Sequence, residues 1–357
     1  MFKALLDNHK KSLALGYSYV RSAQFALQQA SLPVFEYILT GQKRTSPAEY
    51  QANLQKIWPY LKALLNQDAQ NIADGVYPLA VLTPEKSWPP IWRFSKIIQD
   101  GLAVARRRNE KKSHDFSMQA QSYLADVPEY YRRNFHFQSD GYLTEQSADI
   151  YEHQVEILFA GAAGPMRRLL IPLFKKHFTD NPLGQGLHFL EVGAGTGPLT
   201  RFMKLAFPLA RITAVDVSDP YLKKAQSRLQ DLDRVDFLQS SGEALPFVEE
   251  KFDAVYSCFL FHELPQDVRI SMVNEGLRVL KNHGIYGMVD SIQSGDQPDL
   301  QWALDRFPID FHEPFYKNYL IHPMHEVLSQ CGVAQIETNM GFFSKALAGI
   351  KASSKNL

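Results

Sequence analysis

Cysteine is nearly absent from the 357 residues: Cys258 and Cys331 are too few for a disulfide framework or a four-thiolate zinc site. A charge surplus is absent as well, with 38 Lys+Arg against 38 Asp+Glu and a sequence pI of 7.2. A protein whose main work is holding nucleic acid or an anionic membrane needs a clear basic excess, so no nucleic-acid partner is expected. No run approaches the roughly 18–20 apolar residues of a membrane-spanning helix. Met1 to Val20 lacks the order of a signal peptide, because Asp7, Asn8 and His9 interrupt its apolar residues and Lys10 and Lys11 follow them. Internal repeats and low-complexity stretches are missing too. These absences lead us to expect a soluble, cytoplasmic chain in a reducing compartment.

The length suffices for more than one domain, since single domains usually run to about 100–200 residues. The halves differ in charge: 18 basic and 14 acidic residues precede position 151, and 20 and 24 follow. The first part reads mainly as helices. Apolar spacing over Leu13–Leu39 is helical, with a break and new helix start expected at Ser31-Leu32-Pro33. Ser46-Pro47-Ala48-Glu49 has the form of a capping box and predicts a helix to about Asn66. Pro78, Pro84, Pro89 and Pro90 predict a loop between Tyr77 and Pro90. The one dense basic run, Arg106 to Lys112, reads as a solvated helix end or, alternatively, an anion-binding or membrane-surface patch. An aromatic-dense segment over 128–147 then leads into a helix from about Ala148 to Ala160.

From Leu187 onward the texture changes. Short apolar runs at 187–192, 211–216, 235–238, 252–257 and 285–290 alternate with helical patterns at 198–206, 220–229 and 266–280. That alternation predicts an α/β fold with a parallel sheet. A helix at 324–330 and a closing antiparallel pair, 333–338 with 343–351, complete it. The expected division is a helical N-terminal domain over 1–127, a lid or connecting segment over 128–186, and a cofactor-binding domain over 187–357.

The stretch Leu190-Glu191-Val192-Gly193-Ala194-Gly195-Thr196-Gly197-Pro198 carries the chemistry. A strand ends at Val192, glycines allow a ligand close to the backbone, and a helix begins near Pro198 with its amides facing that ligand. A dinucleotide fingerprint requires glycine where Pro198 stands, and a P-loop requires Lys-Ser/Thr after the turn. Glu191 sits where a carboxylate can reach a cationic amine. The pattern resembles motif I of the class I S-adenosylmethionine (SAM)-dependent methyltransferases.

Further positions extend the resemblance over about 187–351, nearest in texture to the quinone C-methyltransferase type. It implies a Rossmann-like SAM-binding sheet and SAM as cofactor. Asp216, 25 residues after Glu191, would hold the ribose hydroxyls, with Val217 against the adenine. Ser240-Ser241-Gly242-Glu243-Ala244-Leu245-Pro246-Phe247 stands where the family usually has Gly-Asp-Ala-x-x-Leu-Pro-Phe; Ser241 replaces the usual acid, so Ser241, Gly242 and Glu243 are expected to edge the adenine. The expected cofactor set is Glu191, Gly193, Ala194, Gly195, Thr196, Gly197, Asp216, Val217, Ser241, Gly242, Glu243 and Cys258, the last as a pocket-floor residue rather than a nucleophile.

His262 and Glu263 lie past the fourth strand, at the edge where ligands bind. His262 is the candidate base, its alternative being a loop residue that shapes the pocket. Tyr142, Tyr151, Phe259, His262, Glu263 and His312 are expected to line a substrate pocket, against the plainer reading that they are packing residues. No metal site is expected, because His312 and His322 lack a third ligand at suitable spacing. The implied activity is methyl transfer to a small, apolar or aromatic acceptor. Alternatives are a non-catalytic SAM-binding scaffold and a nicotinamide-dependent oxidoreductase. Oligomeric state is not specified.

Overall fold

A computed structural model describes residues 2–40, 47–83, 90–110 and 112–352. The amino-terminal part is helical: α1 (Phe2–Thr40), α2 (Pro47–Ala73), α3 (Pro90–Glu110), the short α4 (Met118–Gln121), α5 (Glu145–Leu158), α6 (Ala163–Arg168) and α7 (Ile171–His177). Three 3-10 turns, at Leu124–Asp126, Glu129–Tyr131 and Phe135–Phe137, carry the aromatic-dense segment. The remainder alternates β1 (His188–Val192), α8 (Pro198–Ala206), β2 (Arg211–Asp216), α9 (Asp219–Arg228), β3 (Val235–Gln239), β4 (Phe252–Cys258), α10 (Gln266–Val279) and β5 (Leu280–Ser291). It closes with α11 (Gln301–Asp310), α12 (Tyr316–Ile321), α13 (Met324–Gln330), β6 (Val333–Gly341) and β7 (Ser344–Lys351).

The seven strands form one sheet in the order β3-β2-β1-β4-β5-β7-β6, parallel except for β7, which runs antiparallel to both β5 and β6. Successive side chains of a strand point to opposite faces. Phe189, Ala254, Tyr256, Ile285 and Val289 therefore enter one core. Their neighbours Leu190, Val255, Tyr286 and Met288 enter the other. Helix α2 joins the first core with Leu61, Leu64, Leu65, Ala69 and Ile72, the spacing of a single helical stripe. Asp68 lies among them, and its carboxylate accepts from Arg168 Nε at 2.8 Å, Arg168 Nη2 at 2.7 Å and the Tyr77 hydroxyl at 2.7 Å. This buried cluster ties α2 to α6.

Two local expectations are corrected. Helix α1 runs to Thr40 without the break expected at Ser31-Pro33; its packing against α2 and α5 outweighs the local helix-start signal. Helix α2 continues past Asn66 to Ala73, because the apolar stripe does. Ser46 and Lys111 lie outside the described residues. Within the basic run, Arg107 is buried and pairs with Asp100 and Asp115, and its guanidinium donates to Ser139 Oγ at 2.7 Å. Arg106 and Lys112 both pair with Glu110. Among the described residues no single helix is long and apolar enough to cross a membrane.

The order reverses between β1 and β4: the chain winds outward from β1 through β2 to β3, then returns to the other side of β1. A crevice opens outside the carboxyl ends of the strands at such a point.

Candidate active site

Two neighbouring cavities occupy that crevice. The first holds about 560 Å³ of empty space, counting what opens to solvent, and the second about 470 Å³.

The floor of the first is the turn from β1 into α8. Gly193, Gly195 and Gly197 have φ of +71°, +54° and +80°, the left-handed region that a Cβ disfavours. At Gly193 a Cβ would stand 2.9 Å from Leu260 Cδ2; at Gly195 it would point across open space, with Tyr221 Cδ1 nearest at 4.0 Å. Gly197 caps α8, and Pro198 follows at its first position. Glu191 lies at the bottom, 1% exposed, with its Oε2 accepting from Thr200 Oγ1 at 2.6 Å. Burial pushes its pKa up to about 8, and the Thr200 hydrogen bond only partly opposes this. Asp216, at the end of β2, accepts from the amides of Gly195 and Ser218, both at 2.8 Å. Burial raises its pKa to about 6 against those amides.

The segment before the sheet folds over this floor. Tyr131, Tyr142 and Tyr151 line the cleft with Tyr221 of α9. The rings of Tyr142, Tyr151 and Tyr221 lie 5.4 to 5.6 Å apart and edge-on, the favoured aromatic geometry. One side wall is ionic: Arg167 Nη1 meets Glu152 Oε2 at 2.9 Å, and Thr196 Oγ1 donates to Glu152 Oε1 at 2.7 Å. Burial tends to lower the Arg167 pKa, yet Glu152 holds it above the ordinary value. At Cys258 burial pushes the thiol pKa up, so it is no thiolate nucleophile.

The second cavity shares Tyr151, Phe259 and Glu263 with the first and adds His262, Phe307, Tyr316 and Phe343. His262 Nδ1 lies 2.5 Å from Asp290 Oδ1 at the carboxyl end of β5. Asp290 Oδ2 also accepts from the amides of Leu260 and Phe261, so one carboxylate fixes the turn and the ring. Arg269 braces the same turn: its Nε donates to Phe261 O at 2.8 Å and its Nη2 to Phe315 O at 3.0 Å. Burial works to lower the His262 pKa, but the Asp290 charge and hydrogen bond outweigh it and the net shift is upward. Glu263 Oε1 accepts from the Tyr142 hydroxyl at 2.6 Å. Burial and the Glu263 charge push the pKa of Glu313, behind this wall, well above the carboxylate range.

The structure thus brings Glu191, Gly193, Ala194, Gly195, Thr196, Asp216 and Cys258 onto one cleft, together with Tyr142, Tyr151, Phe259 and Glu263. Other expected positions are not among its lining residues. Val217 packs with the cluster of Ala120, Val127 and Leu143. Gly242 lies against β1, where a Cβ would stand 2.6 Å from Val192 Cγ1. The Glu243 amide donates to Ser241 Oγ at 3.2 Å, and Glu243 Oε2 accepts from the Tyr130 hydroxyl at 2.8 Å. His312 lines neither cavity. Sequence reasoning missed Tyr131, Tyr221, Glu152, Arg167 and Asp290. Asp290 had a signal, a carboxylate ending a strand at the ligand edge; Glu152 and Arg167 had none, since their pairing is made only by the fold.

Residues 189–284 match a family model described as a methyltransferase domain. The chain carries a class I SAM-dependent methyltransferase domain. Its similar curated relatives include the ubiquinone/menaquinone biosynthesis C-methyltransferase UbiE of Shewanella piezotolerans, 29% identical over 190 residues that cover 46% of this chain and 74% of that protein. The UbiE of Cereibacter sphaeroides is 34% identical over 128 residues, covering 34% of this chain and 49% of the relative. The chain therefore spans about three quarters of some of these proteins and about half of others. A SAM-dependent methyltransferase from Aquifex aeolicus gives a TM-score of 0.38 at 20% identity, covering 53% of this chain and 94% of that one.

SAM is the cofactor of this domain. The donor set fits it: a buried carboxylate for the ammonium, a bare left-handed glycine turn for close approach, and a second carboxylate beside that turn. The nicotinamide alternative loses its place with the family match and with Pro198 where a third glycine is required.

Proposed function

We propose that this chain methylates a small hydroxyl-bearing aromatic acceptor of the quinol type, seated in the second cavity, with His262 as the proton acceptor. The observation that carries this is the shared wall: Tyr151, Phe259 and Glu263 border both cavities, so an acceptor among Phe307, Tyr316 and Phe343 lies next to the cofactor cleft. The UbiE relatives, named for C-methylation in ubiquinone and menaquinone biosynthesis, support the acceptor class.

SAM, when bound, supplies an electrophilic methyl group on a sulfonium, whose positive charge favours neutral His262. Glu191 holds the ammonium, Asp216 the ribose, and the Gly193–Gly197 turn allows both to be reached. The aromatic walls hold the acceptor by burial and ring contact. Asp290 fixes the His262 Nδ1–H tautomer, which leaves Nε2 to take the proton of the acceptor's hydroxyl and raise its nucleophilicity. Positioning of donor and acceptor supplies a large share of the rate.

The test is product trapping. Purified protein, methyl-deuterated SAM and a panel of hydroquinones and phenols should yield an acceptor in which one trideuteromethyl group replaces a hydrogen. SAM binding by calorimetry with no S-adenosylhomocysteine formed from the panel or from an extract metabolite pool would refute the proposal and favour a scaffold.

A further inference from the structure

One group beside the acceptor cavity has no account in the reaction above. Glu313 has a side-chain exposure of 0%, and neither carboxylate oxygen has a hydrogen-bond partner. A buried carboxyl group left without a hydrogen bond is costly, and such groups in folded proteins are satisfied by a partner or bind a metal. Two further ligands converge on it from distant parts of the chain. His136 Nδ1 lies 3.3 Å from Glu313 Oε1, and His136 Nε2 lies 3.6 Å from Glu263 Oε1. One donor atom from each residue falls within 4.8 Å of the other two. We propose that His136, Glu263 and Glu313 bind a divalent transition-metal cation of the zinc or manganese kind at the rim of the acceptor cavity.

The donor set decides the class of ion. One imidazole and two carboxylates suit zinc, manganese or ferrous iron, whereas calcium takes six to eight oxygens. Bonds of about 2.0–2.2 Å require ligand atoms about 3.3 Å apart; only one His136 nitrogen can bind a given ion, so the side chains must close in from separations of up to 4.8 Å. The backbone is already committed: His136 and His312 have φ of +55° and +52°, a conformation that non-glycine residues rarely hold and that clusters at functional sites. The Tyr142 hydroxyl orients the Glu263 carboxylate, as outer-shell partners of metal ligands do. Three protein ligands leave a coordination position open, and two of them, His136 and Glu263, line the acceptor cavity. The cation would take an acceptor oxygen there, a role that rests on the proposed acceptor site; its binding does not. The ligands come from a 3-10 turn near residue 136, the turn after β4 and the turn after α11, so no local spacing marks them.

The test is metal binding by the full chain. Chelator-treated protein is titrated separately with Zn²⁺ and Mn²⁺ by calorimetry, and bound metal is counted by elemental mass spectrometry after desalting. One equivalent per chain is expected from at least one ion, with affinity at least tenfold weaker in Glu313→Gln and in His136→Gln. Thermal unfolding and SAM binding identify which variants remain folded, and two independent variants keep the test open if one does not fold. No uptake by the wild type, or unchanged affinity in a folded variant, overturns the proposal. Formation of labelled product by metal-free protein would overturn the role toward the acceptor while leaving the methyltransferase reading intact.

Discussion

In the proposed site Glu191 would hold the methionine ammonium and must then be ionised, which its surroundings oppose. Burial places its pKa at about 8, so at pH 7 the carboxyl is protonated in roughly ten molecules of eleven. Ionising it then costs about 1.4 kcal/mol, a tenfold loss of affinity relative to a ready carboxylate. An α-amino group titrates near 7.8, so the ligand arrives at pH 7 mostly as the ammonium and at pH 9 mostly as the free amine. Forming the same ion pair therefore releases about 0.8 proton at pH 7 and takes up about 0.8 at pH 9, changing sign near pH 8. Asp216, at about 6, is mostly ionised at pH 7 and adds about 0.1 at most. Calorimetry in buffers of different ionisation enthalpy reads the number directly. Glu191→Gln should abolish the release at pH 7. Equal proton exchange by wild type and variant would refute a protonated Glu191 in the free protein.

Three further outcomes are expected. His262→Ala and Asp290→Asn should lower kcat by about 10²- to 10⁴-fold with SAM affinity retained, since the dyad faces the acceptor cavity; calorimetry beside steady-state kinetics separates the two. Gly195→Ala places a methyl group in the cleft and forces φ of +54° on alanine, so SAM affinity should fall at least tenfold while stability falls by about 1 kcal/mol. Asp68→Ala strands the buried Arg168 guanidinium and should cost about 3–5 kcal/mol in denaturant unfolding, with a lower Tm.

The sheet was legible because its signals are local. Short apolar runs, the turn at Gly193–Gly197 and the alternation with helices place β1 to β4 within a residue or two and β5 from Ile285 onward, and the helices at 198–206 and 324–330 fall where expected. The long helices were less legible: Pro33 reads as a start signal in isolation, and only packing shows α1 continuing through it. The cleft residues Glu191 and Asp216 follow from strand-end chemistry. The segment 240–247 matches the family's ending in Leu-Pro-Phe, and a Cβ at Gly242 would stand 2.6 Å from Val192 Cγ1. What covers the cleft is not local at all. Tyr131, Glu152 and Arg167 meet Gly195 and Thr196 only after the amino-terminal segment has folded over the sheet, and His136 reaches Glu313 by the same route.

The most direct measurement is SAM binding to wild type and Asp216→Ala, by calorimetry at pH 8. A carboxylate at the end of β2, beside the glycine turn, should make the wild type bind at one site per chain and the variant lose most of that affinity while unfolding at a similar temperature. Undetectable binding by the wild type, or equal binding by a folded Asp216→Ala, would contradict the site described.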